Sequence, residues 1–430
     1  MKKTTQRTSH IGKRILLSDA RIVVFIGLSC GINYERFKPH FNQGRCFMKI
    51  LLVGNYFYPE HTGGVETVSF NLVKHYREAG HAVRWAAADV CPNLRKAGED
   101  DVPIRAWNFT EEKLGFPQPI PYPEVFSKLY NNIRWCDVVH LQDCLYLINI
   151  LVFFIAKLFR RPILITQYAK FIPYSQYYKR ALQTIAYHTI GWLMFTTAEK
   201  VVFITTNVRD NMQYINPKKM REVVPLGVDT EFYSPLPASE RIYSREKLSG
   251  DPDTPIVLFV GRMVERKGVH LIRPLIERHK EWHWVLVGRP DDFNPAKWDI
   301  PNLTYYHHAT EQQLRELYSS ADLLVHPSIG EGITLIVSEC MSCGTPVVVS
   351  KESLQELGDQ DRCLFLPVTP ETAEIEAAIL SFLGNTSAVG SLRKDVREYT
   401  QTRLEWKIIS ESYLILLHDL VDRKVLVSKF

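Results

Sequence analysis

The sequence predicts an α/β protein built from two doubly wound parallel sheets, each covered by helices on both faces. Three observations carry that prediction. Apolar runs of four or five residues alternate with helix-period segments from Met48 onward, and a strand buried on both faces reads as such a continuous run. The pattern then restarts. Met48-Lys49-Ile50-Leu51-Leu52-Val53-Gly54 and, later, Pro255-Ile256-Val257-Leu258-Phe259-Val260-Gly261 both lead a buried strand straight into a glycine. Finally, 430 residues suit two or three domains at roughly 100–200 residues each.

In the first half the strands read as Ile50–Val53, Ala82–Ala86, Val138–Leu141, Ile163–Thr166 and Val201–Ile204, with a helix at Glu66–Ala79. Leu145–Phe159 is strongly apolar, but it is short for a membrane span and Arg160-Arg161-Pro162 follow it. It reads as a buried crossover helix. Leu226–Ser239 carries Gly, Pro and Ser with little periodicity and reads as the connector between halves. Second-half strands follow at Trp284–Val287, Leu303–Tyr306, Leu323–His326 and Val347–Val349, with helices at Glu311–Ser320 and Ile333–Cys343. The expected division is 1–47 as leader, 48–235 as an acceptor-binding domain, 236–403 as a donor-binding domain, and 404–430 as a helix returning to the first domain.

Charge and cysteine usage exclude several classes. Met1–Phe47 holds nine Lys/Arg and two Asp/Glu, so the leader carries +7 of a whole-chain +5 and the rest is −2. A nucleic-acid binder concentrates its basic excess on the folded body, so nucleic acid is not an expected partner. The leader has a basic start and a short apolar run, Ile22–Ser29, without an A-x-A site. It reads as an unstructured tail or an upstream mis-start before Met48, with a membrane-surface anchor as the sharper reading. The eight cysteines are scattered and read as reduced thiols of a cytoplasmic protein. Cys340 and Cys343 form a lone CxxC inside a helical run and read as packing residues.

In an open α/β sheet, ligands bind off the carboxyl ends of the strands. Three strand-end segments there have chemistry. Gly54 opens a loop ending in Gly63-Gly64-Val65-Glu66, where paired glycines admit close backbone approach and the following helix offers N–H groups to an anion. It is not G-x-G-x-x-G, so a dinucleotide fingerprint is absent, and alone it reads equally as a turn. Gly261-Arg262 followed by Lys267-Gly268 places an Arg at a strand end and a Lys five residues on, a pair able to clamp a diphosphate; two solvated surface cations are the plainer alternative. Pro327-Ser328-Ile329-Gly330-Glu331-Gly332-Ile333-Thr334-Leu335 leads into a helix carrying Glu339. With a helix start near Ile333, Glu331 sits at its mouth and Glu339 about two turns in.

Together these residues resemble the family 4 glycosyltransferases. The resemblance covers Met48 to about Arg403 and rests on four motifs in order: Gly63-Gly64-Val65-Glu66, Val224-Pro225-Leu226-Gly227-Val228-Asp229, Gly261-Arg262 with Lys267-Gly268, and Glu331-x7-Glu339 followed by Cys343-Gly344-Thr345-Pro346. It implies the GT-B fold, two facing Rossmann-like domains around a cleft, and sugar transfer with retention from a nucleotide-sugar donor to a glycan or lipid-linked acceptor. By the resemblance, Arg262 and Lys267 bind the donor diphosphate and stabilise the departing nucleotide, Gly64 offers its backbone N–H to the same phosphates, and Gly63 and Gly261 are further donor-binding residues. Glu339 holds the ribose, while Glu331 with the backbone of Gly332, Ile333 and Thr334 positions the sugar. No metal and no cofactor are implied, and Asp251-Pro252-Asp253 reads as a linker turn.

The chain departs from the family at two places. Gln167-Tyr168 follows Leu164-Ile165-Thr166 where relatives carry a His, so Tyr168 and Gln167 are the expected acceptor-side residues without a His-based role. Ile333 and Thr334 stand where many relatives have an aromatic and a Gly or Pro. Tyr177-Tyr178-Lys179-Arg180 mixes aromatics with cations, a composition that suits a lipid headgroup surface or a glycan and equally a packing helix. The expected location is therefore cytoplasmic, with the inner face of the membrane as a contact surface. The alternatives are a non-catalytic GT-B scaffold and a sugar-nucleotide epimerase; the retained Arg262, Lys267, Glu331 and Glu339 favour transfer.

Overall fold

The computed structural model describes residues 47–427, apart from 62, 91–97, 99, 115–117, 169–176, 213–221, 330–331 and 355–363. The leader reading and Glu331 therefore fall outside the described residues. The first half runs β1 (Lys49–Tyr56), α1 (Gly64–Glu78), β2 (Ala82–Asp89), β3 (Asp101–Trp107), α2 (Phe109–Leu114), β4 (Ile120–Pro121), α3 (Val125–Trp135), β5 (Val138–Gln142), α4 (Leu147–Leu158), β6 (Ile163–Gln167), α5 (Tyr177–Ala186), α6 (Trp192–Thr197), β7 (Lys200–Phe203), α7 (Thr206–Met212) and β8 (Glu222–Val223). The second half runs α8 (Ala238–Ser249), β9 (Ile256–Val260), α9 (Val269–Arg278), β10 (His283–Val287), β11 (Leu303–Tyr306), α10 (Glu311–Ser320), β12 (Leu323–His326), α11 (Leu335–Ser342), β13 (Val347–Ser350), β14 (Phe365–Val368), α12 (Thr372–Leu383), α13 (Thr386–Tyr399) and α14 (Trp406–Val427).

Two sheets result. The first has the order β4-β3-β2-β1-β5-β6-β7-β8 and the second β11-β10-β9-β12-β13-β14. All pairings are parallel except the short β3–β4 pair. In each sheet the chain winds outward from its first strand, then returns to the other side. The order therefore reverses between β1 and β5 and again between β9 and β12, which makes those two crevices the expected ligand sites.

Period-2 alternation divides β1 between two cores. Leu51 and Val53 enter one cluster, Ile50 and Leu52 the other. The second cluster is completed from the far end of the chain: Trp406, Ile409, Tyr413, Leu414 and Leu417 of α14 pack on Met48, Val68, Leu72 and Tyr76. Burying each such side chain stabilises by about 1.5–3 kcal/mol, so α14 is held on the first sheet. Val228 and Leu404 lie side by side where the chain passes between halves, with Val228 N–H donating to Leu404 C=O at 2.7 Å. A Cβ on Gly227 would lie 2.4 Å from the Trp406 ring. The glycine of Val224-Pro225-Leu226-Gly227-Val228-Asp229 thus gives that indole its place.

Strand β3 is absent from the sequence expectation. It alternates buried and exposed positions and carries Pro103, so it lacks the continuous apolar run used to find the others. Pro103 is tolerated because the outer neighbour β4 pairs only with Ala106 and Trp107.

Candidate functional site

Two glycines shape the β9 side of the crevice between β9 and β12, where the neighbouring strands β9 and β10 end. Gly261 and Gly288 end adjacent strands at φ +154° and +146°. A Cβ on Gly288 would stand 1.9 Å from the Gly261 carbonyl oxygen, so the two strand ends meet only without a side chain. Gly261 N–H donates to Val287 C=O at 2.9 Å and Met263 N–H to Arg289 C=O at 3.0 Å. This pairing carries Arg262 beside Asp291, with Nε 2.9 Å from Oδ2. Asp291 was not anticipated, although Gly288-Arg289-Pro290-Asp291 occupies the end of β10 as Gly261-Arg262 does that of β9. Arg262 is 57% exposed, leaving the rest of its guanidinium fork open to a ligand.

Lys267 is buried to 9% exposure in a single helical turn, Glu265–Lys267. Gly268 then adopts φ +80° and would place a Cβ 2.6 Å from Pro327 Cγ. Pro327 belongs to the loop after β12, and Ile329 N–H of that loop donates to Arg266 C=O at 3.0 Å. The cation loop and the loop preceding α11 are therefore locked together across the crevice.

Helix α11 starts at Leu335, two residues later than expected. Thr334 is its extended N-cap at φ −91°, ψ 164°, so Gly332, Ile333 and Thr334 form its approach. Glu339 lies just over one turn in rather than two. Its Oε2 accepts from Tyr318 Oη at 3.1 Å. Burial, with a smaller contribution from Glu311, pushes its pKa up to about 7. The Oγ atoms of Thr334 and Ser338 have no hydrogen-bond partner in the described structure. Both lie in the first turns of α11, where N–H groups also await acceptors.

Across the cleft, Gly63 is the N-cap of α1 and Gly64 is its first residue. The two glycines differ in purpose. A Cβ on Gly63 would stand 2.1 Å from Glu66 Oε2, whereas one on Gly64 meets nothing within 4 Å. Gly63 makes room for Glu66, and Gly64 faces open space. Burial raises the Glu66 carboxyl to about 7. From the same loop, Tyr58 Oη donates to Glu311 Oε1 at 2.5 Å, joining the two halves. Burial and then Glu311 raise the Tyr58 hydroxyl to about 12, which keeps it a donor. Tyr58, Tyr168 and Leu335 all pack against the core cluster that holds α14.

Gln167 faces inward. Its Nε2 lies 3.0 Å from Asp143 Oδ2 and 3.3 Å from Tyr187 Oη, and its Oε1 accepts from Cys144 N–H at 3.3 Å. Tyr168 donates to Gln142 Oε1. Both therefore brace the end of β6 through internal bonds. Cys340 and Cys343 are free and buried, and burial raises the Cys343 thiol to about 12; both act as packing residues. Asp251 accepts from Asp253 N–H at 3.0 Å within a turn.

Residues 62–232 match the sequence model described as Glycosyltransferase Family 4, and residues 254–385 match that described as Glycosyl transferases group 1. The chain belongs to the family 4 glycosyltransferases. An uncharacterized glycosyltransferase of Methanocaldococcus jannaschii is 22% identical to it over 401 residues, covering 87% of this chain and 99% of that one. The alpha-galactosylglucosyldiacylglycerol synthase of Streptococcus pneumoniae is 24% identical over 236 residues, 48% of this chain and 61% of that one. Several further relatives are matched over shorter stretches, down to 25% of their length. The Anabaena protein HepE, solved with UDP-glucose, superposes on this glycosyltransferase with a TM-score of 0.67 at 18% identity, covering 87% of this chain and all of that one. The fold of the glycosyltransferase is GT-B. Among its described residues no helix is long and apolar enough to cross a membrane.

Proposed function

We propose that this glycosyltransferase moves a sugar, with retention, from a nucleotide-sugar donor to a glycan or lipid-linked acceptor in cell-envelope or exopolysaccharide synthesis. Residues 236–403 take the donor and 48–235 the acceptor. The observation that supports this most is the locked pair of loops at the β9/β12 crevice, where Gly268 packs on Pro327 and Ile329 bonds to Arg266. It sets Arg262 and Lys267 on one side of a strand-order reversal and the approach to α11 on the other.

In this reading Arg262, oriented by Asp291, and Lys267 meet the donor diphosphate, and Gly64 approaches it from the facing lobe. Glu339 accepts from ribose hydroxyls, and Glu331 with the backbone of Gly332–Thr334 holds the sugar. The bond from the anomeric carbon to the diphosphate oxygen breaks while the acceptor oxygen attacks from the same face. The acceptor proton passes to the departing oxygen. Two cations and a helix N-terminus stabilise the leaving charge, so the step needs no divalent metal.

A thermal-shift screen over nucleotide sugars tests the donor site, because a ligand at 100 Kd stabilises by about 2.7 kcal/mol. The anomeric configuration of the product, read by NMR, tests retention. Inversion, or turnover abolished by EDTA and restored by Mg²⁺, overturns the mechanism.

A further inference from the structure

The segment from Tyr177 to Thr197 is one continuous rod: α5, a π turn at Tyr187–Gly191, and α6. None of the ten residues of α5 is buried. Tyr178, Leu182 and Ile185 recur at i, i+4 and i+7, so they line one stripe, and they are 60%, 55% and 61% exposed. Tyr177 and Trp192 extend the apolar surface at 78% and 50% exposure. A stripe with this period ordinarily faces a core. Here the later residues Tyr187, Ile190, Met194 and Phe195 do so, and none of α5 does.

A second helix joins the same region. Lys157 of α4 donates to Thr197 C=O at the end of α6 and pairs with Glu199 at 2.8 Å. Near that junction α4 presents Phe154 and Leu158, at 49% and 78% exposure.

The charge along this stretch of sequence is one-sided. Cys144–Lys200 contains seven Lys/Arg and a single acid, Glu199, whereas the whole chain nets only +5; of the seven cations, Lys200 is paired with Glu222 of β8. Glu199 is engaged by Lys157 and by Ile163 N–H. Arg160 and Arg180 are exposed. Exposed aromatic and aliphatic side chains flanked by cations match the interface of an anionic bilayer: the rings and aliphatics enter the acyl boundary while the cations meet headgroup phosphates. A second copy of this chain pairing through the same segment would need matching acids, and the segment holds only one.

We propose that the α5–α6 rod, with the outer face of α4, docks this glycosyltransferase on an anionic lipid surface. The rod reaches the cleft through Tyr187, whose Oη meets Gln167 at the end of β6, next to Tyr168. Docking therefore sets the acceptor side of the cleft at the lipid boundary. This deepens the reading of a lipid-linked acceptor, but its test uses no turnover, so either idea can fail alone.

The test is sedimentation of the full chain with vesicles of phosphatidylglycerol or of phosphatidylcholine. The expected result is binding to phosphatidylglycerol vesicles that weakens with salt, and little binding to phosphatidylcholine. Replacing Tyr178, Leu182 and Ile185 together by Gln should lower partitioning more than about tenfold. Arg180→Gln alone should lower it about fivefold. Because these positions are exposed, the variants should melt like wild type and bind nucleotide equally well. The proposal is overturned by a wild-type protein that stays in the supernatant at low salt. It is overturned equally by a triple variant that binds vesicles as tightly as wild type, which places the contact elsewhere. A wild-type dimer that the triple variant dissolves, with no vesicle binding, would make this face a self-association surface instead.

Discussion

Donor affinity should depend on pH through Glu339. Burial, reinforced by Glu311, raises its carboxyl from the ordinary value of 4.5 to about 7. Ribose hydroxyls donate hydrogen bonds, so the ionised form is the one that binds. With a midpoint near 7, the ionised fraction falls from about 0.9 at pH 8 to about 0.1 at pH 6, so affinity should fall up to about tenfold across that interval. Binding selects the ionised form, and below pH 7 it should release a proton. The sign for stability follows from the same shift. A carboxyl raised on folding favours the folded state at low pH, and that contribution is lost as pH climbs from 4.5 towards 7. Glu66, also raised to about 7, acts in the same direction, so stability alone does not separate the two. Calorimetric titration of a nucleotide sugar from pH 5.5 to 8.5 does, since Glu339→Gln should bind more weakly and with a flat pH profile. Glu311→Gln should move the wild-type midpoint to lower pH. An affinity independent of pH in the wild type, or a slope that survives in Glu339→Gln, would refute the assignment of Glu339 to the ribose.

Three further outcomes are expected. Lys267→Ala should lower kcat by about 10²–10³ with a smaller change in donor KM, because charge grows on the diphosphate as the sugar bond breaks; steady-state kinetics on folded variant check this. Gly268→Ala must adopt φ +80° and push a Cβ to 2.6 Å from Pro327 Cγ, costing roughly 2–4 kcal/mol from the left-handed backbone and the overpacking together; urea unfolding reads the stability and kcat the unlocking of the two loops. Tyr58→Phe removes the 2.5 Å bond to Glu311 that spans the lobes, an exposed contact worth up to about 1 kcal/mol, so small-angle scattering should show an open form enriched by up to about fivefold.

What the sequence determined by itself was the set of strands whose apolar runs are continuous, and the positions of the glycines and cations at their ends. Backbone constraints are local: Gly261 and Gly268 mark positive-φ positions that only glycine adopts cheaply, and a strand buried on both faces has no polar alternation to obscure it. The placement of Arg262 after β9 and of Lys267 before Gly268 was legible for that reason, whereas the roles expected of Gly64 and Glu339 came from the family resemblance. The tertiary structure decided which strand ends meet. Asp291 reaches Arg262 because Gly288 and Gly261 let two strand ends touch, and Glu311 reaches Tyr58 from the other lobe, 253 residues away. Neither pairing leaves a periodic trace in the chain. The raised carboxyl of Glu339 is likewise a property of burial and of a neighbour brought by folding, not of its own sequence context. Gln167 and Tyr168 make the same point in reverse. The sequence placed them at a strand end beside the cleft, and only packing determined that their polar atoms turn to Asp143, Tyr187 and Gln142.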